Sequence, residues 1–177
     1  MGYAIPGSVI AVGILIPFAW LDDQINSLSR AHYDTFIGPV LSGSAFILVY
    51  AYVVRFLAVS FNTVEASLGE VTPAMDAAAR TLGETAGGTL RRVHTPIMRS
   101  SLLAAGILVF VDVMKELPAT IILRPFDFDT LAVRAHNLAS DERLAESATA
   151  SLAIVAVGII PVILLSMAMR RSRPGEG

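Results

Sequence analysis

Four long apolar stretches alternate with polar segments along the chain. Tyr3–Trp20 carries no charge, Ile37–Ala58 carries none until Arg55, and Ala148–Met169 carries none. Ile97–Leu123 is longer, and Asp112, Lys115, Glu116 and Pro118 interrupt it. A helix that crosses a bilayer needs about 20 mostly apolar residues. The pattern therefore predicts an all-α membrane protein: a polytopic helix bundle with about four transmembrane helices, near 3–20, 37–58, 97–117 and 148–169. Pro6, Pro17 and Pro161 lie inside these stretches. Proline in a span is tolerated where neighbouring helices or water satisfy the freed carbonyls, which favours a packed bundle over isolated anchors. No basic segment precedes the first stretch and no small-residue cleavage site follows it, so it reads as a span and not as a signal peptide.

The segment 60–96 is polar and rich in small residues. Thr72 suits an N-cap, Pro73 the first helical position and Gly83 the left-handed position past the end. Ala74, Met75, Ala77, Ala78, Ala79 and Leu82 favour helix between them. A short helix over 73–82 follows. Thr85 suits the cap of a second short piece through Val93, weakened by Gly87 and Gly88, and Pro96 opens the next span. An alanine-faced helix lets its backbone approach another surface closely. Two readings are open: a connector on the membrane interface, or a docking helix for a cytoplasmic partner.

Charge then orients the spans. The loop from Arg55 to Arg99 holds Arg55, Arg80, Arg91, Arg92 and Arg99, and Arg170, Arg171 and Arg173 follow the last span. The other two loops hold only Arg30, Arg124, Arg134 and Arg143, together with most of the acids. Arginine excess marks the cytoplasmic side. The 60–96 loop and the basic tail 170–177 are thus expected inside, and the 121–147 loop outside. In that outer loop Asp129 or Thr130 suits the cap of one helix and Ser140 the cap of another. Composition agrees with a membrane protein: 54% of residues are hydrophobic, 16% are charged, and mean hydropathy is +0.65. A soluble domain carries about 25% charged residues.

The break in the third stretch places Asp112, Lys115 and Glu116 at i, i+3 and i+4, on one helix face. A charge at a span centre costs roughly 2.5–3.5 kcal/mol on insertion scales, so this face is expected to avoid lipid. Pro118 removes a backbone donor just beyond, which predicts a kink or end near Glu116. Either the three line a translocation path, or Asp112 and Lys115 form a pair that only supports packing.

The runs A-A-R-T-L-G (Ala78–Gly83) and R-R-V-H-T-P (Arg91–Pro96) resemble the EAA loop of ABC-transporter permeases with the type-1 fold. Ala78 and Ala79 match the alanine pair, Gly83 the glycine and Pro96 the proline. Ala77 falls on the glutamate position, with Asp76 one residue earlier. Residues Leu108–Ala132, Tyr3–Gly13 and Ala51–Val59 resemble the second permease half of ferric-iron importers. The resemblance implies that residues 1–169 form part of a type-1 permease domain, like the C-terminal part of a larger chain. It implies that Asp76, Ala77, Ala78, Ala79, Gly83, Arg91, Arg92 and Pro96 lie in a cytoplasmic coupling loop, whose short helices seat in an ATPase groove. The implied partners are ABC ATPase subunits, an extracytoplasmic substrate-binding protein, the remaining permease spans or a second half, and membrane lipid.

Other chemistry finds no support. Net charge is −2, with no nucleic-acid signature. There is no cysteine, and His32, His94 and His136 form no ligand pair. An oxygen-ligated iron site needs several converging carboxylates, and the break offers two. No G-x-x-x-x-G-K-[ST], G-x-S-x-G or H-E-x-x-H occurs. No catalytic residue, resident metal or cofactor is expected, and ATP hydrolysis would belong to a separate subunit. The alternatives are an ion-coupled carrier or channel using Asp112 and Glu116, or a permease fragment without function of its own.

Overall fold

The computed structural model describes residues 5–171. The start of the first predicted span and most of the basic tail, residues 172–177, lie outside the described residues. Described elements are all helical: α1 (Gly7–Tyr33), α2 (Ala45–Leu68), α3 (Pro73–Thr81), α4 (Ala86–Thr89), a π-helical turn (Leu90–His94), α5 (Thr95–Met114), α6 (Pro118–Leu123), α7 (Leu131–Ser140) and α8 (Leu144–Arg171). Among the described residues, four helices are long and apolar enough to cross a membrane: α1, α2, the continuous Ala86–Met114 and Leu144–Leu164. Only 11–22% of the residues in their most apolar windows are buried, so the other apolar faces require lipid or further spans.

The chain divides into two units. One comprises the described residues up to 58 with Asp112–Gly158; the other comprises Val59–Val111 with the described residues from 159. In the first unit, Ile10, Ala11 and Ile14 of α1 meet Ile47, Leu48 and Ala51 of α2 and Ala119 and Leu123 of α6. The i, i+1, i+4 spacing on α1 and α2 puts each set on one helical stripe. Alanine at the contact lets backbones approach, as at interfaces of membrane helices generally. Phe18 packs on this cluster and its ring lies 5.3 Å from that of Tyr50.

Helix boundaries depart from the apolar stretches, notably at the end of α1 and at both ends of α2, which runs on past Ala58 to Leu68. α1 continues thirteen residues past the end of its apolar stretch at Trp20, because nothing breaks it before Asp34 adopts the left-handed conformation (φ 50°). α2 begins at Ala45, well after the apolar run begins at Ile37. The reason is a clasp built on α1. Asp22 is buried, and its carboxylate accepts from the backbone N–H of Val40 (3.1 Å), Leu41 (2.8 Å) and Ser42 (2.8 Å) and from the Ser42 hydroxyl (2.6 Å). Asn26 accepts from the N–H of Ile37 and Gly38 and donates to the Gly38 carbonyl. Gly38 has φ +88° and precedes Pro39, both incompatible with helix. Donors that would have opened a helix are spent on two side chains of α1.

After α6, Thr130 caps α7 as expected, its hydroxyl accepting from the Val133 N–H at 3.3 Å. Ser140 does not cap the next helix; it is the last residue of α7, and α8 starts only at Leu144. Glu142 takes a left-handed φ of 61° in the turn, and the N–H of Arg143 bonds to the Leu138 carbonyl.

In the second unit, α3 ends where the sequence pattern places its stop. Leu82 is the C-cap and Gly83 follows at φ +83°. The Thr72 side chain makes no capping bond; its carbonyl accepts from the Met75 N–H instead. A Cβ added at Gly83 would meet nothing within 4 Å, so only backbone strain opposes substitution. Gly83→Val is expected to lower stability by about 1–2 kcal/mol, the cost of a left-handed β-branched residue. Thermal unfolding in detergent checks this, and an unchanged midpoint would show that the turn tolerates another conformation.

Candidate functional site

Two clusters hold the residues singled out in the sequence, one in each unit. The first is the α3–α4 segment. Ala77 and Ala78 are exposed on α3 and Ala79 is buried, so the alanine pair is divided between an outer face and an inner one. Asp76 points back into the segment, its Oδ1 2.7 Å from Nε2 of His94. That bond joins α3 to the π-helical turn, and it occupies the acid nearest the missing glutamate position. Glu84, which sequence reasoning passed over, pairs with Arg92 at 2.5 Å. Gly88 leaves room for this pair: a side chain there would displace the Glu84 carboxylate. Thr85 caps α4, its hydroxyl accepting from the Gly88 N–H at 3.2 Å. Arg91 and Pro96 are exposed, and beside Gly83 Leu82 is 84% exposed, an apolar side chain turned outward at the end of α3.

Pro96 does not open a new helix. Helical structure is continuous from Ala86 to Met114. Proline in a helix interior lacks its N–H and clashes with the carbonyl four residues back. The π-helical turn Leu90–His94 absorbs this misfit: the Leu90 carbonyl accepts from both the N–H and the hydroxyl of Thr95, five residues on. Such widened turns accommodate one residue too many for the α register. α4, the π-helical turn and the following span are therefore one continuous helix, to which α3 is joined by the turn 82–85 and the Asp76–His94 bond.

The second cluster lies at the break. α5 ends at Met114 and α6 starts at Pro118. The three charges predicted to share a face separate into two sets. Lys115 Nζ lies 2.9 Å from Asp112 Oδ1, a pair whose lysine is mostly exposed. Glu116 turns inward and is 4% exposed. Its Oε1 accepts from the Ala119 N–H (3.2 Å), and its Oε2 from the Thr120 N–H (3.1 Å) and hydroxyl (2.8 Å). It thereby caps α6, supplying acceptors to orphan N–H groups. Thr120, fully buried, is also 2.6 Å from the Tyr52 hydroxyl. Arg55 completes the set, with Nη1 3.6 Å from Glu116 Oε1 and its guanidinium 5.7 Å from the Phe56 ring centroid. Gly7 leaves room for this pair; a Cβ there would overlap the guanidinium and lie 2.6 Å from Glu116 Oε1. A cavity of about 110 Å³ opens here, lined by Arg55, Phe56, Asp112, Lys115, Glu116 and Pro118. In the sequence Arg55 reads first as an orientation signal. As the one charge in its apolar stretch, it carried a second signal, because an isolated intramembrane charge needs a partner. Among the described residues, no group of three His, Cys, Asp or Glu side chains is placed to hold a metal ion.

These features define a multi-pass helical membrane protein. Compared with known proteins, 92% of the chain aligns at 30% identity with the Fe(3+)-transport system permease protein FbpB 2 of Haemophilus influenzae. Another 95% alignment, at 25% identity, is with a protein named as a 2-aminoethylphosphonate transport system permease, PhnV, of Salmonella typhimurium. The chain spans 29% of the first relative's length and 57% of the second's. No family model and no solved structure matches. Along nearly its whole length, then, the chain resembles the permeases of ABC transport systems.

Proposed function

We propose that the chain is a membrane permease component of an ATP-driven ABC importer, and that α3, α4 and the π-helical turn couple it to a cytoplasmic ATPase. The observation that carries this reading is the α3 segment. It is a short helix that exposes Ala77 and Ala78, with Leu82 exposed just past its end; the turn 82–85 leads from it to α4, and the Asp76–His94 bond ties it to the helix that runs unbroken from Ala86 into a span. A push on such a helix passes into the membrane instead of being absorbed by a flexible linker. Ala79, Gly83, Arg91, Arg92 and Pro96 serve that rigidity or its rim. The arginine excess supports a cytoplasmic side for this segment and the C-terminus. An extracytoplasmic binding protein would deliver cargo, and further spans or a second permease half would complete the path. Two ATPases closing together would drive the spans between inward-open and outward-open states.

Ferric iron is the cargo that the Haemophilus relative's name supports. A phosphonate is a second reading, favoured by the donor-rich cavity at Arg55. An ion-coupled carrier relying on Glu116 is disfavoured because that carboxylate is already committed to capping α6.

The test is co-purification. Co-expressed with a candidate ABC ATPase from the same genome, the wild-type chain should give a detergent-stable complex. Ala78→Arg, which puts a long charged side chain on the exposed face, should reduce recovery by about tenfold or more, a loss of about 1.4 kcal/mol or more. Equal recovery of both would remove α3 from the contact.

A further inference from the structure

The cavity at the break is unbalanced in hydrogen bonding. Glu116 accepts three hydrogen bonds from its own helix end, so its acceptor capacity is largely used. Arg55 is the reverse. Its Nε and Nη1 are buried and make no hydrogen bond, and the contact to Glu116, at 3.6 Å, is too long to be one. The Phe56 ring face offers Arg55 a cation–π contact, which satisfies no N–H. A desolvated guanidinium with idle donors is costly unless an acceptor reaches it. The formal charges lining the cavity cancel, Arg55 and Lys115 against Asp112 and Glu116, and one helix end adds positive potential. The N-terminal turn of the long helix α1 lies against Arg55 at Gly7, bringing the positive end of a helix dipole. Lys115 lines the same cavity, opposed by Asp112. The volume, about 110 Å³, is far above the roughly 10–15 Å³ that admits a single water.

We propose that this cavity binds a small oxyanion of the phosphate or phosphonate class, with the Arg55 guanidinium as its principal donor. Guanidinium presents paired N–H groups in a planar fork that matches such oxygens, and a lysine at the same place would offer only a point charge. As a cargo subsite, the cavity rests on the importer reading above; as an anion site it does not. A lipid headgroup phosphate carries the same chemistry as a soluble anion, and the bilayer composition separates the two sources.

The full chain is reconstituted in phosphatidylcholine nanodiscs and titrated calorimetrically with methylphosphonate. Wild type should give saturable binding, and Arg55→Gln should bind at least about tenfold more weakly, the loss of a charge-assisted hydrogen bond. Arg55→Lys, which keeps the charge and guards against a folding artefact, should fall between them. Arg30→Gln, remote from the cavity, should match wild type. No saturable binding by wild type, or equal affinity in Arg55→Gln, would overturn the proposal. In discs containing phosphatidylglycerol, an Arg55-dependent fall in methylphosphonate affinity would assign the site to a headgroup, and unchanged affinity to a soluble anion. Both of those outcomes uphold oxyanion recognition at Arg55. Because no ATPase is present, failure here leaves the coupling contact standing, and failure of co-purification leaves this site standing.

Discussion

Glu116→Ala is expected to destabilise the chain by about 3–5 kcal/mol, the loss associated with removing one partner of a buried ion pair. Three effects act together. Arg55 would be left at a largely buried position without its counter-charge. The amides of Ala119 and Thr120 would lose their acceptors at the start of α6. Thr120, fully buried, would lose the carboxylate its hydroxyl faces and keep only the Glu116 carbonyl and Tyr52. Ala119 and Leu123 of α6 belong to the core with α1 and α2, so loosening α6 reaches the packing of the first unit. Denaturant unfolding in detergent measures the loss. Glu116→Gln separates the terms: the amide oxygen retains an acceptor for α6 but gives up the charge facing Arg55. A loss below about 1 kcal/mol in Glu116→Ala would mean that Arg55 is satisfied by some other route.

The second large effect belongs to Asp22→Ala. The substitution removes four hydrogen bonds to Val40, Leu41 and Ser42. A hydrogen bond to a charged group contributes about 1.5–3 kcal/mol, and water reaching the freed amides returns part of that. A net loss of about 3 kcal/mol is expected, with the segment before α2 released from α1. Amide hydrogen exchange locates it: Val40, Leu41 and Ser42 should lose protection while the amides of α6 keep theirs. Unaltered protection at those three positions would show that Asn26 and Pro39 hold the segment alone.

Much of this arrangement is legible in the chain. Apolar length announces four spans, since a bilayer sets the length of helix that must cross it. The limits of α3 are written in Thr72-Pro73 and in Gly83, because helix starts and stops depend on the conformational preferences of single residues. The end of α5 near Glu116 follows from three charges and Pro118. Less legible is the start of α2: its apolar run begins at Ile37, but the donors there are taken by Asp22 and Asn26. Nor does Pro96 reveal that the helix passes through it, because proline reads as a break unless a π-helical turn stands beside it.

The division has a physical cause. The span count, the limits of α3, the small-residue segment and the resemblance to transport permeases are readable from the chain alone, because they arise from neighbours three or four positions apart or from bulk polarity. Tertiary structure alone decided the pairings. Asp76 meets His94 across 18 positions, Asp22 meets Ser42 across 20, and Tyr52 meets Thr120 across 68. Arg55 finds Glu116 only once α6 has packed on α1 and Gly7 has left them room. No local period encodes such contacts. They form because a charge or donor taken out of water must find a partner, and the folded chain brings the partner within reach.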